Sequence, residues 1–166
     1  MTTTDTTQPD ATTGDEGRFF LVTGPNAEAV ATALAAALPR AATVDGQVVG
    51  AMFTPDPDGA RADLEQLFLR FTAGIALADS FRLAGFDAVV TEDVPPAYLE
   101  DYLDFAEPTP VRLVRLAGSD EPAGGPEVAS TVTGGIEIDG TDPQAAVAQI
   151  IARADEAIVS TGGDSA

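Results

Sequence analysis

The chain has 166 residues, with 8 Arg and no Lys, 27 Asp plus Glu, neither His nor Cys, a formal net charge of −19 and 45% hydrophobic residues. That length suits about one domain with a real core, so a wholly disordered chain is excluded. The missing residue types exclude disulfides, thiolate and imidazole metal sites, Ser-His-Asp catalysis and any lysine that forms a Schiff base or holds a phosphate, and the charge repels nucleic acid and anionic membranes.

Residues 1–17 (MTTTDTTQPDATTGDEG) are rich in Thr, Asp and Gly. They lack the positive end and apolar run of a secretory signal, and they cannot bury enough apolar surface to offset their ordering entropy. They are expected to form a disordered acidic tail, followed by one domain over residues 18–159 and a short flexible tail over 160–166. No stretch approaches 18 apolar residues, so no membrane span is expected, and the protein is expected to be cytoplasmic.

Phe19–Thr23 (FFLVT) is a short apolar run ending at Gly24-Pro25, the pattern of a buried parallel strand. Asn26 is placed to cap the next helix, Ala27–Leu38, whose Val30, Leu34 and Leu38 share one face; Pro39 stops it. Ala41–Val44 reads as a second strand ending at Asp45-Gly46, and Val48–Phe53 as a short helix or strand. Thr54–Gly59 (TPDPDG) is a loop by composition. Arg61–Ala84 is the longest helical pattern, with Leu64, Leu67, Phe68, Phe71, Ile75, Ala78 and Phe81 at steps of three and four, ended by Gly85. Asp87–Thr91 is a third strand followed by Glu92-Asp93, and Pro96–Phe105 a short helix begun at a proline pair. Val111–Leu116 is a fourth strand, Ala117–Thr133 a Gly- and Pro-rich acidic segment, and Gly135–Ile138 a fifth, short strand. Asp142-Pro143 opens a last helix expected to reach about Val159.

Strands alternating with helices imply an α/β domain with a parallel sheet covered on both faces, and ligands in such sheets bind beyond the carboxyl ends of the strands. The residues placed there are Gly24–Glu28, Asp45, Glu92 and Asp93. A strand, a Gly and then a helix is the setting of the phosphate-binding loop G-x-x-x-x-G-K-[ST], whose second Gly, Lys and Ser/Thr wrap the phosphates and hold Mg²⁺. Over Gly24, Pro25, Asn26, Ala27, Glu28, Ala29, Val30 and Ala31 only the first Gly fits; Ala29, Val30 and Ala31 occupy the other three positions. A Gly-Pro-Asn turn before a helix also occurs in any α/β protein.

From LVTGPN, AATVDG, FRLAGFDAVVTEDV, PPAYLEDYLDF, TPVRLVRL and GGIEIDGTDPQAAVAQIIAR, the chain resembles the chloramphenicol phosphotransferase-like small kinases of the P-loop kinase superfamily, and more loosely shikimate and gluconate kinases, from about Phe19 to Ile158. The resemblance implies a three-layer α/β fold whose five-stranded parallel sheet, in order 2-3-1-4-5, is flanked by helices. It also implies a substrate-side general base at Asp45 and a lid bearing Arg between the fourth strand and the last helix. Here that lid segment, Ala117–Thr133, has no Arg and instead carries Asp120, Glu121 and Glu127. Phosphoryl transfer rests on positioning and charge stabilisation, with arginine fingers worth about 10³–10⁵ in rate. Glu28 beside the phosphate position adds roughly 3 kcal/mol of repulsion per unit charge at about 5 Å.

The expected function is a degenerate kinase-like protein, a non-catalytic binding or regulatory module with no cofactor and an unidentified protein or small-molecule partner. The alternative is an ATP-dependent small-molecule phosphotransferase that binds nucleotide through the backbone amides of Gly24–Ala29, with Asp45, Glu92 and Asp93 holding Mg²⁺. A third reading, an acidic mimic of a polyanion, needs carboxylates aligned on one face, whereas these are dispersed. Strand-end acids also serve simply as caps and solvated loop residues. Arg112 and Arg115, three apart on one strand, point to opposite faces and cannot form one clamp; they and Arg61, Arg70, Arg82 and Arg153 are expected to pair with carboxylates.

Overall fold

The computed structural model describes residues 15–53, 60–117 and 132–161. The expected tail through residue 14, the loop Thr54–Gly59, lid residues 118–131 and the last five residues lie outside that range. The strands are β1 (Phe19–Thr23), β2 (Ala41–Asp45), β3 (Asp87–Thr91), β4 (Val111–Ala117), β5 (Val132–Gly134), β6 (Ile136–Asp139) and β7 (Val159–Thr161). The helices are α1 (Ala27–Ala37), α2 (Gly46–Gly50), α3 (Ala60–Leu83), α4 (Leu99–Ala106, preceded by a 3₁₀ turn at Pro96–Tyr98) and α5 (Pro143–Ala152). Five strands form one parallel sheet in the order β2-β3-β1-β4-β6. That is the three-layer α/β architecture expected, with β6 as the fifth parallel strand.

β1 reads as a continuous apolar run because it lies between β3 and β4 and is covered on both faces. Phe19 and Leu21 enter a core with Phe71 and Ile75 of α3 and Tyr102 and Leu103 of α4. Phe20 and Val22 enter a second core with Val30 and Leu34 of α1 and Ala146 and Ile150 of α5. Each such side chain, fully buried, contributes about 1.5–3 kcal/mol.

The chain departs from its local pattern at three places. The last helix stops at Ala152, well short of Val159, and Arg153–Ala157 form turns. The Leu113 amide donates to the Ala157 carbonyl at 2.8 Å, Arg112 bridges Ile158, and β7 then pairs antiparallel with β5. Long-range hydrogen bonds from β4 thus end a segment whose Ala and Ile spacing suits a helix, and Ser160 belongs to β7 rather than to a tail. Val48–Phe53 resolves into α2, which starts earlier, where the Asp45 carboxylate accepts the Gln47 amide at 2.8 Å. At the other end, the Gly17 amide donates to the Arg82 carbonyl at 3.0 Å, Arg82 Nε donates back to the Gly17 carbonyl at 2.9 Å, and Arg82 pairs with Glu16 at 3.3 Å. The docked chain therefore begins at least two residues before residue 18.

Candidate functional site

A cleft of about 980 Å³ opens at the carboxyl end of the sheet, between the start of α1 and the ends of β2 and β3. Its shape is set by the β1–α1 connection. β1 ends at Thr23, and α1 begins at Ala27, leaving three residues between them. Gly24 has φ +105°, and a Cβ there would collide with the Leu116 carbonyl oxygen of β4. Backbone packing alone therefore requires this glycine. Asn26 sits in the left-handed region at φ 65°, and its side-chain amide donates to the Gly140 carbonyl at 2.8 Å. It makes no side-chain cap to α1, contrary to expectation; tethering the loop to the chain before α5 takes its place.

This short connection changes the register of the phosphate-loop comparison. Gly24, Asn26, Ala27, Glu28 and Ala29 line the cleft, whereas Pro25, Val30 and Ala31 do not. Val30 is 0% exposed and Ala31 3%, both packed into the core under α1. The positions that a gap-free comparison matches to the phosphate lysine and the magnesium hydroxyl thus point inward. A helix that starts after three loop residues turns its second and third positions, Glu28 and Ala29, toward the cleft.

Asp45, Glu92 and Asp93 all line the cleft, as their strand-end positions imply. Their side chains do not converge as a metal set: among the described residues no group of three or more Asp or Glu is arranged to hold a metal ion. The physical reason lies in Glu92. Its side chain is 2% exposed, and its carboxylate bonds Arg70 of α3 at 2.7 Å and accepts the Asp93 amide at 3.0 Å. It packs so closely on Gly46 that a Cβ there would overlap it. Burial pushes the Glu92 carboxyl above the usual carboxylate range, while the charge and hydrogen bond of Arg70 and the Asp93 amide pull it back. Asp45 is engaged in capping α2.

Sequence reading missed Gln47, Thr91, Pro143 and Gln144 as lining residues, though Thr91 and Pro143 lie at the strand end and helix start that such a fold directs to its cleft. Arg70 was expected to pair with an acid, but nothing in the sequence links it to Glu92, which lies on another element. Arg82, Arg112 and Arg153 are also paired, with Asp79 at 2.9 Å, Asp155 at 3.7 Å and Glu156 at 3.0 Å. Arg115 is exposed and makes no ion pair among the described residues. Among the described residues no arginine lines the cleft, which is bordered by the carboxylates of Glu28, Asp45, Glu92 and Asp93.

No family model and no curated protein matches the chain. Solved structures do match. A sugar kinase from Janibacter sp. HTCC2649 superposes with a TM-score of 0.58 at 15% identity, over 85% of this chain and 96% of that one. The tunicamycin resistance protein of Deinococcus radiodurans gives 0.59 at 15% identity, over 86% and 98%. The hexameric APS kinase of Thiobacillus denitrificans gives 0.55 at 18% identity, over 85% of this chain and 29% of that one. The chain has a P-loop kinase-like fold. No helix among the described residues is long and apolar enough to cross a membrane.

Proposed function

We propose that this protein is a non-catalytic member of the P-loop kinase-like fold, a binding or regulatory module whose cleft no longer accepts nucleotide phosphates. One observation carries the reading: the three-residue β1–α1 connection buries Val30 and Ala31 and turns Glu28 toward the phosphate space. A phosphate there meets carboxylates instead of an ammonium group. No lysine exists elsewhere in the chain to reach in from another loop. Since phosphoryl transfer depends on charge stabilisation, losing the loop lysine and the lid arginines removes its main source of rate.

Calorimetric titration with Mg·ATP and Mg·ADP tests this, together with an assay of ATP turnover. Neither nucleotide is expected to bind, and turnover should stay at background. Turnover above background that Asp45→Asn abolishes would establish the phosphotransferase alternative, with Asp45 as its base.

A further inference from the structure

The lining of the cleft has a charge and a spacing that select one class of ligand. Glu28, Asp45 and Asp93 bring exposed or partly exposed carboxylates to it, and none of the three makes an ion pair among the described residues. Glu92 adds little charge, because Arg70 neutralises it at 2.7 Å. Residues 1–14, 54–59, 118–131 and 162–166 hold no Lys or Arg, so none of them can bring a basic side chain to the cleft. The start of α1 carries the partial positive charge of any helix amino end, about half a unit, and Glu28 in the first turn offsets it. A cleft lined in this way favours a positive ligand and repels a negative one.

The carboxylates are spread out. Glu28 follows β1, and Asp45 ends β2, which stands two places from β1 in the sheet, about 10 Å at the usual strand spacing. Asp93 follows β3, the strand between them. A metal ion needs its oxygen ligands gathered around one point, and no group of three acids among the described residues is arranged so. Several ammonium groups separated along one molecule match the spread instead. Between the charges, Ala29, Ala33 and Ala36, at steps of four and three, lay methyl groups along one side of α1. Gln47 and Gln144 add carboxamide oxygens. Methylene linkers can pack on the alanines while ammonium groups donate to the oxygens. The volume of about 980 Å³ lies within the usual span of small-molecule sites, roughly 300–1,000 Å³.

Building on the reading that this cleft is closed to nucleotide phosphates, and resting on it, we propose that the cleft binds a linear aliphatic polyamine. One ammonium group lies near each of Glu28, Asp45 and Asp93, and the methylenes run along the alanines of α1. Charge pairs inside a cleft are screened less than pairs on an open surface, so this binding persists at about 0.15 M salt, where loose attraction to the acidic surface fades.

Calorimetric titration of the full chain with spermidine in about 0.15 M NaCl tests the site. Saturation at one equivalent is expected. Glu28→Gln, Asp45→Asn and Asp93→Asn together should weaken binding at least about tenfold, because three charge pairs are lost. Glu65→Gln, Asp104→Asn and Glu137→Gln together remove as many charges at exposed positions outside the cleft, and should change the affinity less than about twofold. Ala29→Leu fills the cleft without changing any charge and should weaken binding even where the triple cleft variant does not fold. The absence of a saturable site overturns the proposal. So does an equal loss in both triple variants, which would make the binding a property of total charge, or an affinity indifferent to Ala29→Leu. Tighter binding of Mg²⁺ or of a trilysine peptide than of spermidine overturns the ligand class. Binding of Mg·ATP without spermidine would overturn this proposal and the reading beneath it together, whereas binding of neither would overturn this proposal alone.

Discussion

The two ends of the central sheet differ in where the cations are. At the amino end, Arg18 bonds Asp87 through its amide at 2.7 Å and its guanidinium at 2.8 Å, Arg82 ties Gly17 and Asp79, Arg112 pairs with Asp155, and Arg40 stacks on Phe86 at 4.1 Å. At the carboxyl end, where this fold places its ligands, the cleft is bordered by carboxylates, and Arg70 reaches it only from below, through Glu92. Among the described residues, Arg18, Arg40, Arg82 and Arg112 hold the amino end of the frame, and no cation lines the cleft. A kinase-like fold can stand on its packing residues whatever its cleft binds, since packing and ligand binding draw on different residues.

The largest effect tests the register of α1. Val30→Lys would install the phosphate lysine if Val30 faced the cleft. Because Val30 is fully buried, the change should instead cost at least about 3 kcal/mol and confer no ATP binding, as read by urea unfolding and calorimetry. A stable variant that gains nucleotide affinity would break the account of the short loop.

Next comes Arg70, the cation that reaches the cleft through Glu92. Arg70→Met leaves Glu92 buried without its partner and should cost about 3 kcal/mol near neutral pH. The pH dependence has a definite sign. The Glu92 carboxyl is raised in the folded state, which therefore binds the proton more tightly than the unfolded state does. The Glu92 contribution to stability is greatest at low pH and falls as pH rises from the ordinary carboxylate value through the raised one. Removing Arg70 should extend that fall to higher pH, and a loss that is equal at all pH values would show that Arg70 acts through packing alone.

The smallest effect comes from the amino end. Burial pushes the Asp87 carboxyl up, but the hydrogen bonds from the Arg18 side chain and amide, with the charges of Arg18 and Arg112, outweigh it and hold the carboxyl below its usual range. Asp87→Asn should cost about 1–3 kcal/mol at neutral pH. Asp87 contributes stability above its unfolded pKa, and that stability is lost as pH falls through the lower folded value. The difference between variant and parent should therefore vanish in acid. A difference that persists there would move the effect from charge to shape.

Much of the fold is legible locally. FFLVT and DAVVT mark strands buried on both faces, and Pro39, Gly85 and Asp142-Pro143 mark helix ends where the structure has them. The β5–β7 pair is not legible, because residues 132–134 and 159–161 meet only across the folded chain. Leu64 and Phe81, on the expected apolar face of α3, are 39% and 37% exposed, since helical spacing marks a face without showing how far the neighbouring elements extend over it.

The sequence by itself determined which side-chain chemistries are absent, the order of the five parallel strands and their helices, and that Gly24–Glu28, Asp45, Glu92 and Asp93 come to the carboxyl end of the sheet. Composition and period are local properties, and nothing in the fold can supply a missing lysine or histidine. Tertiary structure alone decided that Val30 points into the core and that Glu92 bonds Arg70. Each of these depends on the length of a connection or the reach of a side chain between distant elements. A three-residue loop rotates every later position of α1 relative to the sheet, and no count of residue types records that rotation.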